Sequence, residues 1–297
     1  MKKQIYWSFV RQHSDLPKVQ CNNLIKIAHH SELGSINIYY DDQAYNDLIL
    51  ERYLPEYSKN SSNIDIYYQS ISREQQPQGY IYEAGAKITA VVLGWSFGYL
   101  KTVIHGIASY ALSSKGFYPV HGCVYSINGR GILAIGNSGS GKTHLVMESF
   151  KSQKDIKKTL KICTDDWAFI KVNENGVKAV SVDNCITINN KTAIKYKSLF
   201  VDFDEVECRT RVRNRGISPS DLKYGIPTNE IFVTELYLLS DEMPCEKLIM
   251  NSLDFYPYRN AQEKKRHFVF WNNLLHKIPY KRLKISNFII TEILGRK

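Results

Sequence analysis

The chain has 297 residues, of which 43% are hydrophobic and 23% charged, and it carries a net charge of +10 with a pI near 9.1. Those figures lie in the globular range and allow one large domain or two of ordinary size; no low-complexity tract or fixed-period repeat points to a fibrous or solenoid chain. The positive balance would suit ATP, an acidic peptide or nucleic acid alike, so it selects no partner by itself.

At the N-terminus two lysines precede only about six apolar residues before Arg11, too few for the core of a signal peptide. The first ~85 residues alternate strand-like runs, "IYWSFV", "INIYY", "IDIYY" and "YIYEA", with polar loops such as "SKNSSN" and "SREQQPQG". They predict a small α/β or mostly β domain. Tyr39, Tyr40, Tyr67, Tyr68, Tyr80 and Tyr82 are either strand formers packing a core or a surface that could stack nucleotides. The apolar stretch Ile88 to Leu112 contains Lys101 and His105, and its uninterrupted part of about 13 residues is short of the ~20 a bilayer needs, so it reads as a buried helix.

Leu100, Val103, Ile104, Ile107, Ala108, Ala111 and Leu112 follow an i, i+3, i+4 pattern that predicts a helix with one buried stripe, ended by Gly116 at the left-handed cap position. A strand, "FYPVHGCVYSI", comes next. Asn128-Gly129 is a strong hairpin signal and the apolar run "GILAIG" follows it, so the two strands should pair antiparallel. These elements predict an N-terminal domain at 1–99 and a second domain at 100–297.

Gly136-Asn137-Ser138-Gly139-Ser140-Gly141-Lys142-Thr143 matches the phosphate-loop pattern G-x-x-x-x-G-K-[ST]. Glycines let backbone N–H groups turn toward phosphate oxygens, and a helix starting near Gly141 adds the positive end of its dipole. Lys142 would reach the β and γ phosphates, Thr143 would ligate Mg²⁺, and His144 adjoins the same nucleotide-binding run. Beyond a helix from Lys142 to about Lys154 comes the strand "KICTDDWAFIKV". Its Asp165-Asp166 is either a solvated strand segment or an acidic pair delivered to the phosphate face, one carboxylate for metal and one for the acceptor proton.

The turn "NENG" leads to the strand "KAVSV", then a mixed segment to Phe200. In "RTRVRNR", Arg209, Arg211, Arg213 and Arg215 alternate, so a strand there would put all four on one face toward an anion, whereas a loop would leave them solvated. "EIFVTELYLL" predicts a strand, 245–280 gives no assignable pattern, and "SNFIITEILGRK" looks helical. From Ala261 to Lys297 nine Lys or Arg stand against two acids, which would suit an acidic peptide, nucleic acid or simply a charged surface helix. Cys21, Cys123, Cys163, Cys185, Cys208 and Cys245 form no C-x-x-C pair and read as reduced thiols of a cytoplasmic protein rather than a zinc site.

"VHGCVYSINGRGILAIGNSGSGKTHL" with "TDDWAFI" resembles the C-terminal domain of HPr kinase/phosphorylase and the HPr-kinase-like enzymes around it, which share a fold with phosphoenolpyruvate carboxykinases. The resemblance covers roughly residues 100–172. It implies a mixed α/β fold in which an antiparallel hairpin feeds the phosphate loop, with a smaller N-terminal α/β domain that resembles those of enzymes modifying other acceptors, peptide-tailoring kinases included. It further implies ATP and Mg²⁺ as cofactors and a protein or peptide acceptor bearing Ser or Thr, with no membrane partner; a homo-oligomer is compatible. Carried over by position, Asp165 would be the catalytic base, Asp166 would help Thr143 hold Mg²⁺, and His121 would sit close to the transferred phosphate beside Lys142. A lysine-rich insert, "KSQKDIKK", and the late position of "RNRGIS" set the chain apart from enzymes that act on HPr. Rival readings are a small-molecule kinase on the same fold, acting for instance on a free amino acid, and a nucleotide-dependent ATPase or switch that binds nucleic acid.

Overall fold

The structure, a computed structural model, describes residues 5–27, 34–53, 63–137, 139–153, 160–183, 185–204, 215–217, 225–239 and 256–282, with backbone alone at 152–153, 215–217 and 225–227. Among these residues it is mixed α/β, with two large mixed sheets and one small two-stranded sheet. The chain falls into two compact units, one of residues 1–118 with 253–270 and one of 119–252 with 271–297. Among the described residues no helix is long and apolar enough to cross a membrane.

The first unit is built on a six-stranded sheet of β1 (Tyr6–Phe9), β2 (Asn23–Ile27), β3 (Ile36–Tyr40), β4 (Ile64–Ser70), β5 (Gln78–Ala84) and β6 (Lys87–Gly94), in the order β1-β5-β6-β4-β3-β2. Alternation decides which side chains enter the core: Ile36, Ile38, Tyr40, Ile64, Ile66, Tyr68, Ala90 and Val92 are buried. Tyr39, Tyr67 and Tyr80 lie in register on the opposite face, half-buried, with Tyr39 stacked on Tyr67. Tyr40 and Tyr68 therefore pack the core as strand formers, while Tyr39 and Tyr67 stack on each other on the far face of the sheet.

The single buried helix expected over Ile88 to Leu112 is not formed. Its first part is the central strand β6, and helix α2 (Phe97–Ser113) begins after a break at Trp95-Ser96; the short α1 (Tyr45–Leu50) precedes both. "KITAVVLG" is buried on both faces between β4 and β5, so its apolar run lacks the alternation of a half-buried strand. Helix α2 buries Leu100, Val103, Ile104, Ile107, Ala108 and Leu112, and Gly116 closes it at φ 81°.

The second unit carries β7 (Tyr118–Ile127), β8 (Arg130–Ile135), α3 (Lys142–Gln153), β9 (Leu160–Thr164), β10 (Trp167–Asn173), β11 (Gly176–Val180), β12 (Ile186–Ile188), α4 (Asn190–Lys195), β13 (Arg215–Ile217), β14 (Gly225–Pro227), β15 (Glu230–Val233), β16 (Glu235–Leu238) and β17 (Tyr280–Arg282). Strands β7 and β8 are antiparallel, joined by Asn128-Gly129 at φ 54° and 78°. Two consecutive positive φ angles are what a tight two-residue hairpin requires. On its other side β8 pairs in parallel with β16.

"EIFVTELYLL" is two strands rather than one. Thr234 breaks it by donating its N–H to the Gly131 carbonyl and exchanging side-chain bonds with the same residue, so β15 pairs with β11 and β16 with β8. A Cβ at Gly131 would stand 1.8 Å from the Phe232 carbonyl oxygen, so only glycine permits this crossing. Behind the sheet, Leu145, Val146, Met147 and Phe150 of α3 join Tyr125, Ile132, Ile186, Tyr196 and Tyr237 in one buried cluster. Helix α5 (Ala261–Lys277) occupies part of the 245–280 span that shows no assignable pattern; its buried residues are His267, Phe270, Trp271 and Leu274. Of the four alternating arginines only Arg215 falls within the described backbone, where β13 pairs with β12; Arg209, Arg211 and Arg213 lie outside the described residues, as do Ser138 and the expected C-terminal helix.

Candidate functional site

Strand β8 ends at Ile135 and α3 begins at Lys142, so residues 136–137 and 139–141 lie between a buried strand and a helix start. Gly139 and Gly141 have φ of 82° and 96°, conformations that a side chain would strain. Gly136 is needed for space instead: a Cβ there would meet the Ser140 side chain at 2.2 Å and Leu239 Cβ at 3.0 Å. Folded back on this loop, the Lys142 ammonium donates to the carbonyls of Gly136 (2.6 Å) and Asn137 (3.1 Å), and the residue is only 7% exposed. Ser140 N–H donates to the Asn137 carbonyl, and Leu145 N–H to Gly141, which starts the ladder of the helix.

Thr143, the second residue of α3, donates its hydroxyl to Asp165 Oδ2 at 3.3 Å. That oxygen also accepts the backbone N–H of Thr187 at 3.0 Å, tying β12 to the acidic pair. Asp165 and Asp166 occupy the break between β9 and β10, the two strands that both neighbour β7. The break is shaped by Thr164, whose hydroxyl accepts the N–H groups of Asp166 (3.2 Å) and Trp167 (3.3 Å). Asp165 is 3% exposed, whereas the Asp166 side chain is 25% exposed. From β7, His121 brings its Nε2 to 3.0 Å from Asp166 Oδ1, and its ring lies parallel to that of Trp167 at 5.3 Å.

His121, Asp166, Asp165, Thr143 and Lys142 thus form one unbroken series of contacts and chain neighbours. His144 turns away from it: its Nδ1 meets the Tyr196 hydroxyl, which donates to Glu148 Oε1 at 2.6 Å. With that O–H committed to the carboxylate, Nδ1 carries the proton and donates to the tyrosine oxygen. Burial, then the charge of Lys195, holds His144 below the usual histidine value, so it stays neutral at neutral pH. Beneath the loop the Cys123 thiol is fully buried and pushed up to about 12 by that burial, which keeps it protonated and inert.

Tyr196, Glu148, Thr187 and Trp167 were not singled out in the sequence. Glu148 stands one helical turn from His144, a spacing that could have been read; Tyr196 and Thr187 arrive through tertiary structure and leave no local signal.

The oxygen donors suit Mg²⁺, which binds through one or two carboxylates together with phosphates rather than in an all-protein cage. No cluster of three or more His, Cys, Asp or Glu poised around a metal occurs among the described residues. A hydroxyl at the helix start, a carboxylate hydrogen-bonded to it and a lysine held by loop carbonyls fit a magnesium-bound polyphosphate. Compared with models of known protein families the chain matches none, and no curated protein is significantly similar to it.

Proposed function

We propose that the chain is an ATP- and Mg²⁺-dependent kinase that transfers the γ-phosphoryl group to a Ser or Thr hydroxyl of a protein or peptide, in the manner of the HPr-kinase-like enzymes that its hairpin, loop and acidic pair resemble. The observation that carries the reading is the link from Thr143 to Asp165, which joins a phosphate loop to an acidic pair whose second member is held by His121. A loop alone would support phosphate binding only; a carboxylate pair beside it supplies what a transfer reaction needs.

In this reading the nucleotide phosphates draw Lys142 from the Gly136 and Asn137 carbonyls, and the loop N–H groups and the start of α3 orient them. Thr143 and one carboxylate of the acidic pair would hold Mg²⁺, which when bound neutralises charge on the β- and γ-phosphate oxygens. The acceptor hydroxyl forms the new O–P bond, the bond from γ-phosphorus to the ADP oxygen breaks with its electron pair leaving on ADP, and the hydroxyl proton passes to a carboxylate of the pair. Alignment and charge neutralisation do most of the catalysis.

The test is incubation with ATP labelled in its γ-phosphate, Mg²⁺ and a panel of Ser- and Thr-containing peptides, intact proteins and free serine, with products resolved by mass. Label on a peptide or protein hydroxyl supports the proposal. Label on free serine alone would turn it into a small-molecule kinase, and salt-sensitive nucleic-acid binding without phosphoester would refute it.

A further inference from the structure

Two carboxylates stand in the acidic pair, and their surroundings differ. Asp165 is 3% exposed, and its Oδ2 takes both the Thr143 hydroxyl and the Thr187 N–H. Asp166 has its side chain 25% exposed and its Oδ1 against His121, itself 21% exposed. An incoming acceptor hydroxyl needs access, and a metal held at the phosphate loop needs proximity to Thr143. Each carboxylate meets one of these needs.

We infer that Asp166 takes the proton of the acceptor hydroxyl, that Asp165 serves the metal side with Thr143, and that Trp167 is a positioning residue which holds His121 against Asp166. This rests on the kinase reading and reverses the roles that the family resemblance implies for the two acids. The balance of the step is simple: the acceptor oxygen bonds to γ-phosphorus, the ADP oxygen departs with its electron pair, and the proton moves to Asp166. Trp167 is suited to its part because it is fixed at both backbone ends. Its N–H donates to the Thr164 hydroxyl, and its carbonyl accepts the Ser181 hydroxyl at 3.1 Å. With its backbone held, its indole offers the face on which the imidazole lies at an interplanar angle of 11°.

The experiment measures ATP affinity with and without Mg²⁺, and transfer kinetics, for the full chain and for Asp165→Asn, Asp166→Asn, Trp167→Ala and Trp167→Phe. Asp166→Asn should keep the Mg²⁺ enhancement of ATP affinity within twofold while transfer falls at least a hundredfold; Asp165→Asn should lose the enhancement. Trp167→Ala should lower kcat at least tenfold with KM for ATP unchanged, and Trp167→Phe, which restores a ring face, should recover most of it. Loss of the Mg²⁺ enhancement in Asp166→Asn overturns the assignment even if Asp165→Asn fails to fold. A drop in both kcat and ATP affinity for Trp167→Ala, unrescued by Phe, overturns the positioning role. Absence of transfer by the unaltered chain would refute the kinase reading itself, whereas normal transfer by Asp166→Asn refutes only this inference.

Discussion

His267 offers a prediction whose size follows from the structure. It sits on α5, 1% exposed, packed edge-on by the rings of Tyr118 and Tyr256, with Nδ1 at 2.8 Å from the Tyr258 hydroxyl. Burial alone pushes its imidazole down from the usual 6.5 to about 3. Because the folded state resists protonation and the unfolded chain does not, the histidine contributes its full stability above the unfolded value, and that contribution drains away as the pH falls toward the folded one. Each pH unit is worth about 1.4 kcal/mol, so roughly 3 kcal/mol is lost between pH 6.5 and 4, and about 4 by pH 3. A loss of 3 is a large part of the stability of an ordinary domain. The assay is urea unfolding at pH 7, 6, 5 and 4 of the natural chain and of His267→Gln, whose side chain does not titrate. The variant should be less stable at pH 7 because packing is lost, and the gap should close by about 3 kcal/mol by pH 4. A gap that stays constant over this range would refute the reasoning, since other titrating groups are common to both chains.

Three further outcomes are expected. Lys142→Ala should weaken ATP binding at least tenfold, about 1.4 kcal/mol, in calorimetric titration, because it removes the ammonium that would meet the phosphates. Gly131→Ala should destabilise the second unit by about 3 kcal/mol or more in thermal melts, since its Cβ would collide with the Phe232 carbonyl, a backbone group that cannot rotate away. Tyr196→Phe should cost about 1–2 kcal/mol by leaving His144 and Glu148 without the shared hydroxyl, and should leave ATP affinity within a few-fold.

The parts of the fold that could be read from the sequence are those fixed by local backbone chemistry. Asn128-Gly129 makes its hairpin because those two residues tolerate positive φ, and the glycines of the loop announce themselves for the same reason. Gly116 ends α2 as read. Where the outcome depended on what lies beside an element, the sequence was silent. "KITAVVLG" has the same apolar run whether it becomes a buried helix or a strand covered on both faces, and only its neighbours β4 and β5 decide. Thr234 looks like any strand threonine until Gly131 is placed opposite it. Helix α5 did carry a signal, with His267, Phe270, Trp271 and Leu274 at helical spacing, but the histidine among cations masked the stripe. For the site, the loop and the acidic pair could be named from their motifs, yet their juxtaposition through Thr143, the burial that separates Asp165 from Asp166 and the indole beside His121 come from tertiary structure alone.

The central claim is that the loop and the acidic pair make one phosphoryl-transfer site, and the most direct measurement is the stoichiometry of its products. With Mg²⁺, ATP and a responsive peptide, ADP and peptide phosphoester should appear in equal amounts, with negligible inorganic phosphate, and both should vanish in Lys142→Ala. ADP formed with inorganic phosphate and no phosphoester on any acceptor would contradict the account and make the site an ATPase.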